Sequence, residues 1–168
     1  MPIHRVSGDP LLTRAPVLAL GHNARGRIET TPLEHAVYRA FPAAYSMYAK
    51  QCRQQRITPG TGWLWRESRP MLLFLAVRDS NVGATRLRYV YAALLELARD
   101  YTRLRINALA LPTLGSPSEW RDIQPIVEQL LGRSRLTVYL YATYQPGVQA
   151  DEPDFPAFEP TRTRGDAP

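Results

Sequence analysis

The chain has 168 residues, 45% of them hydrophobic, and a formal net charge of +6. That length suits one domain with a short appendage, and no apolar run approaches the ~20 residues of a membrane span. The single cysteine, Cys52, excludes an internal disulfide and a cysteine-based zinc cluster.

Lys50 is the only lysine among 21 Lys and Arg residues, so arginine carries the positive charge. Its planar fork suits phosphate. A GC-rich genome produces the same bias, so the charge fits an anionic partner such as nucleic acid without demanding one. The segment Met1-Pro2-Ile3-His4-Arg5 lacks the apolar stretch of a signal peptide, and the expected location is the cytoplasm.

Ile3 to Val6 reads as a short strand and Ser7-Gly8-Asp9-Pro10 as a turn. Val17 to Leu20 is a continuous apolar run that ends in a polar turn, Gly21-His22-Asn23-Ala24-Arg25-Gly26. A buried strand delivers its carboxyl end to a ligand crevice in this way. Thr31, Pro32 and Glu34 spell a helix start: an N-cap, a first-turn proline and an acid at the third position. Phe41-Pro42 stops that helix near Ala40. A second helix, from about Ala43 to Arg53, carries Tyr45, Tyr48 and Cys52 on one stripe, with Cys52 as a half-buried structural thiol.

Trp63-Leu64-Trp65 reads as an edge strand, and Met71 to Val77 as a strand buried on both faces. Thr85 to Arg103 is the clearest helix, with Leu87, Val90, Tyr91, Leu94, Leu95 and Ala98 at helical spacing. Ile106 to Leu111 is a second apolar strand that runs into a loop, Pro112-Thr113-Leu114-Gly115-Ser116-Pro117. The two stretches are expected to be neighbouring strands whose loops face each other across one pocket. Ser118 is expected to cap a helix from Glu119 to about Leu131, which Gly132 stops. Leu136 to Ala142 is the last strand.

Helix crossovers between apolar strands predict a three-layer α/β/α sandwich with a mixed, largely parallel sheet over residues 1–144. From Gln145 onward, prolines and acids leave few apolar residues to pack. Residues 145–168 are expected to form a flexible tail, docked through Phe155 or Phe158. His4, His22 and His35 show no metal-ligand spacing, and no metal is expected. Neither a Gly-x-Gly-x-x-Gly run nor a Walker lysine occurs, and no cofactor is implied.

Several motifs recur in a telling order. They are Gly8-Asp9-Pro10-Leu11-Leu12, the Gly21 to Gly26 turn, Leu111-Pro112-Thr113-Leu114-Gly115 and Glu119-Trp120. Together they resemble the macrodomain family, modules that bind ADP-ribose. Phe41-Pro42, Tyr48, Cys52, Pro59-Gly60, and Phe74 to Arg78 followed by Thr85-Arg86-Leu87 are similar to one subgroup. That subgroup removes ADP-ribose from DNA bases as the antitoxin of a toxin pair.

The resemblance implies ADP-ribose, or a macromolecule that carries it, as partner. Asp9 then accepts a hydrogen bond from the adenine amino group; its other reading is a turn closed on its own backbone. Asn23 lies beside the distal ribose or satisfies a turn. Leu114, Gly115 and Ser116 offer backbone N–H groups to the diphosphate, which Arg25 helps to steady. Tyr141 or Tyr144 stacks on adenine or simply packs. Glu29 serves as a general base, with Asn23, or is a solvated side chain.

Two loops differ from the subgroup. Where it carries a catalytic lysine between glycines, this chain reads Arg25-Gly26-Arg27-Ile28-Glu29-Thr30-Thr31-Pro32. The second loop is shorter, and Pro117 has no N–H to donate. The alternative function is therefore a binding module of the same fold with an altered pocket, meeting nucleic acid or protein through its arginines.

Overall fold

The computed structural model describes residues 3–157. Six strands, β1 (Ile3–Gly8), β2 (Val17–Asn23), β3 (Gly62–Trp65), β4 (Met71–Arg78), β5 (Ala108–Pro112) and β6 (Thr137–Tyr144), form one sheet in the order β1-β6-β5-β2-β4-β3. Every pairing is parallel except β3 on β4. The β2 and β5 runs are neighbours, as their matching build predicts, with Val17 opposite Leu109.

Strand alternation sorts the apolar runs into two cores. Val17, Ala19, Leu73, Leu75 and Val77 pack against α3 (Leu87–Asp100) and α4 (Pro117–Leu131). Leu18, Leu20, Leu72 and Phe74 face α1 (Pro32–Ala40) and α2 (Pro42–Arg53). The result is the expected α/β/α sandwich, and burial on both faces is why β2, β4 and β5 read as unbroken apolar runs.

Among the boundaries that differ from the sequence reading, three bear on the site. Strand β2 continues past Leu20, because Gly21 and His22 pair with Leu75 and Ala76; the turn starts only at a bulge before Asn23. Helix α3 starts at Leu87 rather than Thr85. Arg86 is extended, at φ −97° and ψ 121°, and its N–H donates to the Val77 carbonyl of β4 at 2.9 Å, so the helix begins after it; the Thr85 N–H before it donates to Glu119 Oε2 at 2.8 Å. Ser116, not Ser118, caps α4. Its hydroxyl accepts from the Glu119 N–H while Glu119 accepts from the Ser116 N–H, and Pro117 supplies the first-turn geometry.

Residues 145–157 cross back over the β1–β6 end of the sheet and are held mainly by polar groups. Glu152, buried, accepts from the Arg14 N–H and the Tyr141 hydroxyl, each at 2.7 Å. Gly8 has φ +153°, and a Cβ there would stand 2.7 Å from the Val148 carbonyl oxygen, so the segment passes close above it. Phe155 packs on Tyr139; Phe158 lies outside the described residues. No helix among the described residues is long and apolar enough to cross a membrane.

Candidate functional site

Five parallel strands end on one edge of the sheet, and a cleft of about 480 Å3 opens there. Small-molecule sites span ~300–1,000 Å3. Its floor is Leu20 and Gly21 of β2, Pro112 of β5 and Tyr141 of β6. Its walls are the first turns of α1 and α4, through Thr31, Pro32 and Glu34 on one side and Ser116, Pro117 and Glu119 on the other. The positive ends of two helix dipoles therefore meet the same hollow, an arrangement that favours an anion.

Arg78, at the end of β4, ties the walls together. Its Nε donates to Glu29 Oε1 at 3.1 Å, one Nη to Thr85 Oγ1 at 2.9 Å and the other to the Gly21 carbonyl at 3.0 Å. Thr85 passes the connection to Glu119. Gly115 completes this wall at φ +131°. A Cβ there would stand 3.0 Å from Glu119 Oε1 and 3.1 Å from Thr85 Oγ1, so glycine is what lets the two groups approach the turn.

Asn23 is fully buried, and both ends of its side-chain amide are engaged. Nδ2 donates to the Arg27 carbonyl at 2.7 Å and to Glu29 Oε1 at 3.0 Å; Oδ1 accepts the N–H groups of Arg25 and Arg27. This side chain folds the 24–29 loop around itself and aims Glu29 at the cleft. Gly26, at φ +69°, allows the loop to lie against α2, because a Cβ would sit 2.6 Å from Ala49 Cα.

Beneath the loop, His22 Nδ1 accepts the Asn23 N–H at 2.8 Å, and the ring lies among Tyr45, Tyr48 and Phe74. Burial and the nearby Arg78 push its pKa down to about 3, so it is a neutral packing group at physiological pH. Cys52 is equally quiet: burial raises its pKa, against the pull of a Tyr48 hydrogen bond.

Two more carboxyl groups face the cleft. Burial pulls the Glu119 pKa upward, but hydrogen bonds from Ser116 and Thr85 outweigh it and hold the pKa below the usual carboxylate range. Glu34 is the opposite case. It is 6% exposed and accepts the Tyr45 hydroxyl on Oε2 at 2.8 Å. Burial drives its pKa up to about 7, with Glu29 adding to the rise and Tyr45 and Arg78 opposing it.

No protein-family model matches the sequence, and no curated protein matches it. Solved structures do match. The macrodomain of Thermus aquaticus DarG has a TM-score of 0.73 at 22% identity, over 86% of this chain and 98% of its own. The macrodomain of Mycobacterium tuberculosis DarG has 0.73 at 21%, over 86% and 98%. Thermosipho africanus DarTG in complex with ADP-ribose has 0.76 at 20%, over 88% of this chain, which spans 42% of that protein.

The fold is that of the macrodomains. The resemblance read from the motifs thus holds at the level of architecture, and the cleft can be compared with the residues singled out in the sequence. Glu29, Gly115, Ser116, Tyr141 and Tyr144 line it. Leu114 does not; its side chain is in the core beneath the turn. Asp9 sits just behind the lining residue Pro10. Its Oδ1 accepts the Leu11 N–H at 3.0 Å and its Oδ2 the Gly147 N–H at 2.9 Å. Asn23 lies behind Glu29, and Arg25 faces a separate hollow with Arg27 and Arg53. Ile28 is exposed and does not fill the cleft.

Sequence reasoning missed Arg78, Thr85 and Glu34 as site residues. Arg78 carried a signal, as an arginine that ends an apolar run. Glu34 carried none, since a third-position glutamate is ordinarily a solvated cap residue.

Proposed function

We propose that the cleft binds ADP-ribose, free or carried by a macromolecule, and hydrolyses the bond that attaches it to a nucleic-acid base. The observation that carries this reading is an open cleft of about 480 Å3 in a fold shared with a protein solved in complex with ADP-ribose. Two helix N-termini at the cleft suit the diphosphate, with the Gly115 N–H as a backbone partner and Leu114 anchoring the turn; the Ser116 N–H is held by Glu119 Oε1 at 2.9 Å, so Ser116 faces the ligand with its hydroxyl side chain instead.

Tyr144 is in register with Gly8, next to Asp9 and Pro10, which supports grouping this end as the adenine subsite. Tyr141 or Tyr144 stacks on the base. Asp9 accepts the adenine amino group, since an ionised carboxylate has about four acceptor sites and two hydrogen bonds to it are identified. Glu29 is the general base, and Asn23 is its positioning residue. Arg25 lies beyond the loop, where the phosphates of an attached polymer would pass.

Calorimetric titration with ADP-ribose tests the reading; saturable heat at one ligand per chain is expected. No heat at millimolar ligand, from folded protein, removes it. Asn23→Ala and Glu29→Ala should each slow release of ADP-ribose from a modified oligonucleotide, and undiminished release by both would show that the loop is not catalytic. The hollow lined by Arg25, Arg27 and Arg53 favours a second reading, a nucleic-acid binding module without turnover. DNA binding would then fall steeply with salt, and ADP-ribose would not compete.

A further inference from the structure

Glu34 is a cleft carboxyl group that neither the family resemblance nor the proposed diphosphate and adenine subsites use. It lines the same cleft as Glu29, from the first turn of the next helix. The two carboxyl groups have different surroundings. Glu29 receives Arg78 and the Asn23 amide on the same oxygen, so it is fixed in place beside a positive charge. Glu34 has no ion-pair partner among the described residues and takes a single hydrogen bond from a neutral phenol. The groups that act on it are Tyr45 from α2, Glu29 from the loop and Arg78 from β4.

We infer that Glu34 is a catalytic residue, the general acid that protonates the leaving base while Glu29 activates water. This rests on the reading of the cleft as an ADP-ribosyl hydrolase site. The step balances without a further reactant. Water oxygen bonds to the anomeric carbon of the distal ribose as the bond from that carbon to the base breaks. The bonding electrons go to the base, which takes the Glu34 proton, and Glu29 takes the proton that water loses. A later proton exchange with solvent resets both groups. Two carboxyl groups in unlike surroundings, here one beside a guanidinium and one desolvated, are the established division of labour for glycosidic cleavage. A proton that Glu34 retains up to about pH 7 suits the acid's part.

The test uses the full chain, ADP-ribose as the binding probe and an oligonucleotide with ADP-ribose on a base as substrate. Glu34→Gln should bind ADP-ribose within about threefold of wild type yet release it at least ~100-fold more slowly, the usual scale of general acid catalysis. Its pH profile should lose the descending limb that wild type shows above neutrality. Tyr45→Phe supplies a second readout. Removing a donor to the ionised carboxylate makes Glu34 hold its proton longer, so that limb should move up by on the order of one pH unit. Glu34→Gln with wild-type turnover, or a limb that stays put in Tyr45→Phe, overturns the role. Wild type that binds ADP-ribose and releases none also overturns it while leaving the binding reading intact. Wild type that binds nothing removes both.

Discussion

Helices α1 and α4 open onto the cleft with one shared pattern, Thr31-Pro32-Leu33-Glu34 in the first and Ser116-Pro117-Ser118-Glu119 in the second. Both have a hydroxyl cap, a first-turn proline and a third-position glutamate. In α4 the glutamate bends back to its own cap and across to Thr85, where N–H donors stabilise its charge. In α1 the cap hydroxyl still accepts the Glu34 N–H, at 3.3 Å, but the carboxyl group points inward to Tyr45. The same local code therefore yields a structural anion on one wall and a buried, proton-holding acid on the other. The difference teaches that capping preference sets where a helix starts. What packs beside the first turn decides what its glutamate is for.

The network that separates the two glutamates can be broken at Arg78, and the largest effect is expected there. Arg78→Met removes the partner of Glu29, whose side chain is 9% exposed, and leaves that carboxylate uncompensated. Breaking a buried pair from one side costs ~3–5 kcal/mol. Urea unfolding at pH 7 measures it; a loss below about 1 kcal/mol would mean that the pair does not hold the walls together.

The second effect sharpens the contrast through pH. Glu34 has its folded pKa raised from 4.5 to about 7. Stability from its proton is therefore fully present below pH 4.5 and lost as pH rises through about 7. His22 works the other way. Its folded pKa is lowered from 6.5 to about 3, so its contribution is present above pH 6.5 and lost as pH falls toward 3. A comparison of wild type with Glu34→Gln leaves His22 in both proteins and isolates the carboxyl group. The variant should gain on wild type by roughly 3 kcal/mol between pH 4 and pH 8. Parallel stability curves for the two proteins would falsify the assignment of Glu34 as the proton-holding group.

Smaller changes are expected at the caps. Glu119→Ala opens the capping box and frees the Thr85 N–H, for a loss of about 1–2 kcal/mol in thermal or urea unfolding. Thr31→Ala removes a single cap bond and should cost about 1 kcal/mol or less. If the two losses came out equal, the extra reach of Glu119 to Thr85 would carry no stability of its own.

Much of the frame was legible along the chain. Unbroken apolar runs at Val17 to Leu20 and Met71 to Val77 marked buried strands, and Thr31-Pro32 marked the start of α1. The pocket-lining turn at Gly115 was legible too, because a glycine after an apolar strand announces a close approach. Boundaries failed where a partner distant in sequence intervened. Val77 of β4 delays α3 by holding Arg86 extended, and the same strand extends β2 to Asn23. The segment after Gln145 reads as unable to pack because composition counts apolar residues, whereas in its described part, residues 145–157, Glu152 makes hydrogen bonds to Arg14 and Tyr141.

By itself the sequence determined the order of strands and helices, the crossover logic of the sheet and the places where helices begin. Those signals act within a few residues, through periodicity, caps and proline geometry. Only the tertiary structure decided which carboxyl groups are desolvated and which meet donors, which asparagine faces inward and which arginine bridges the cleft. Those outcomes depend on desolvation and on donors from distant parts of the chain, such as Tyr45 for Glu34 and Arg78 for Glu29, which meet only once the sheet has formed and its loops have folded over the ends of its strands.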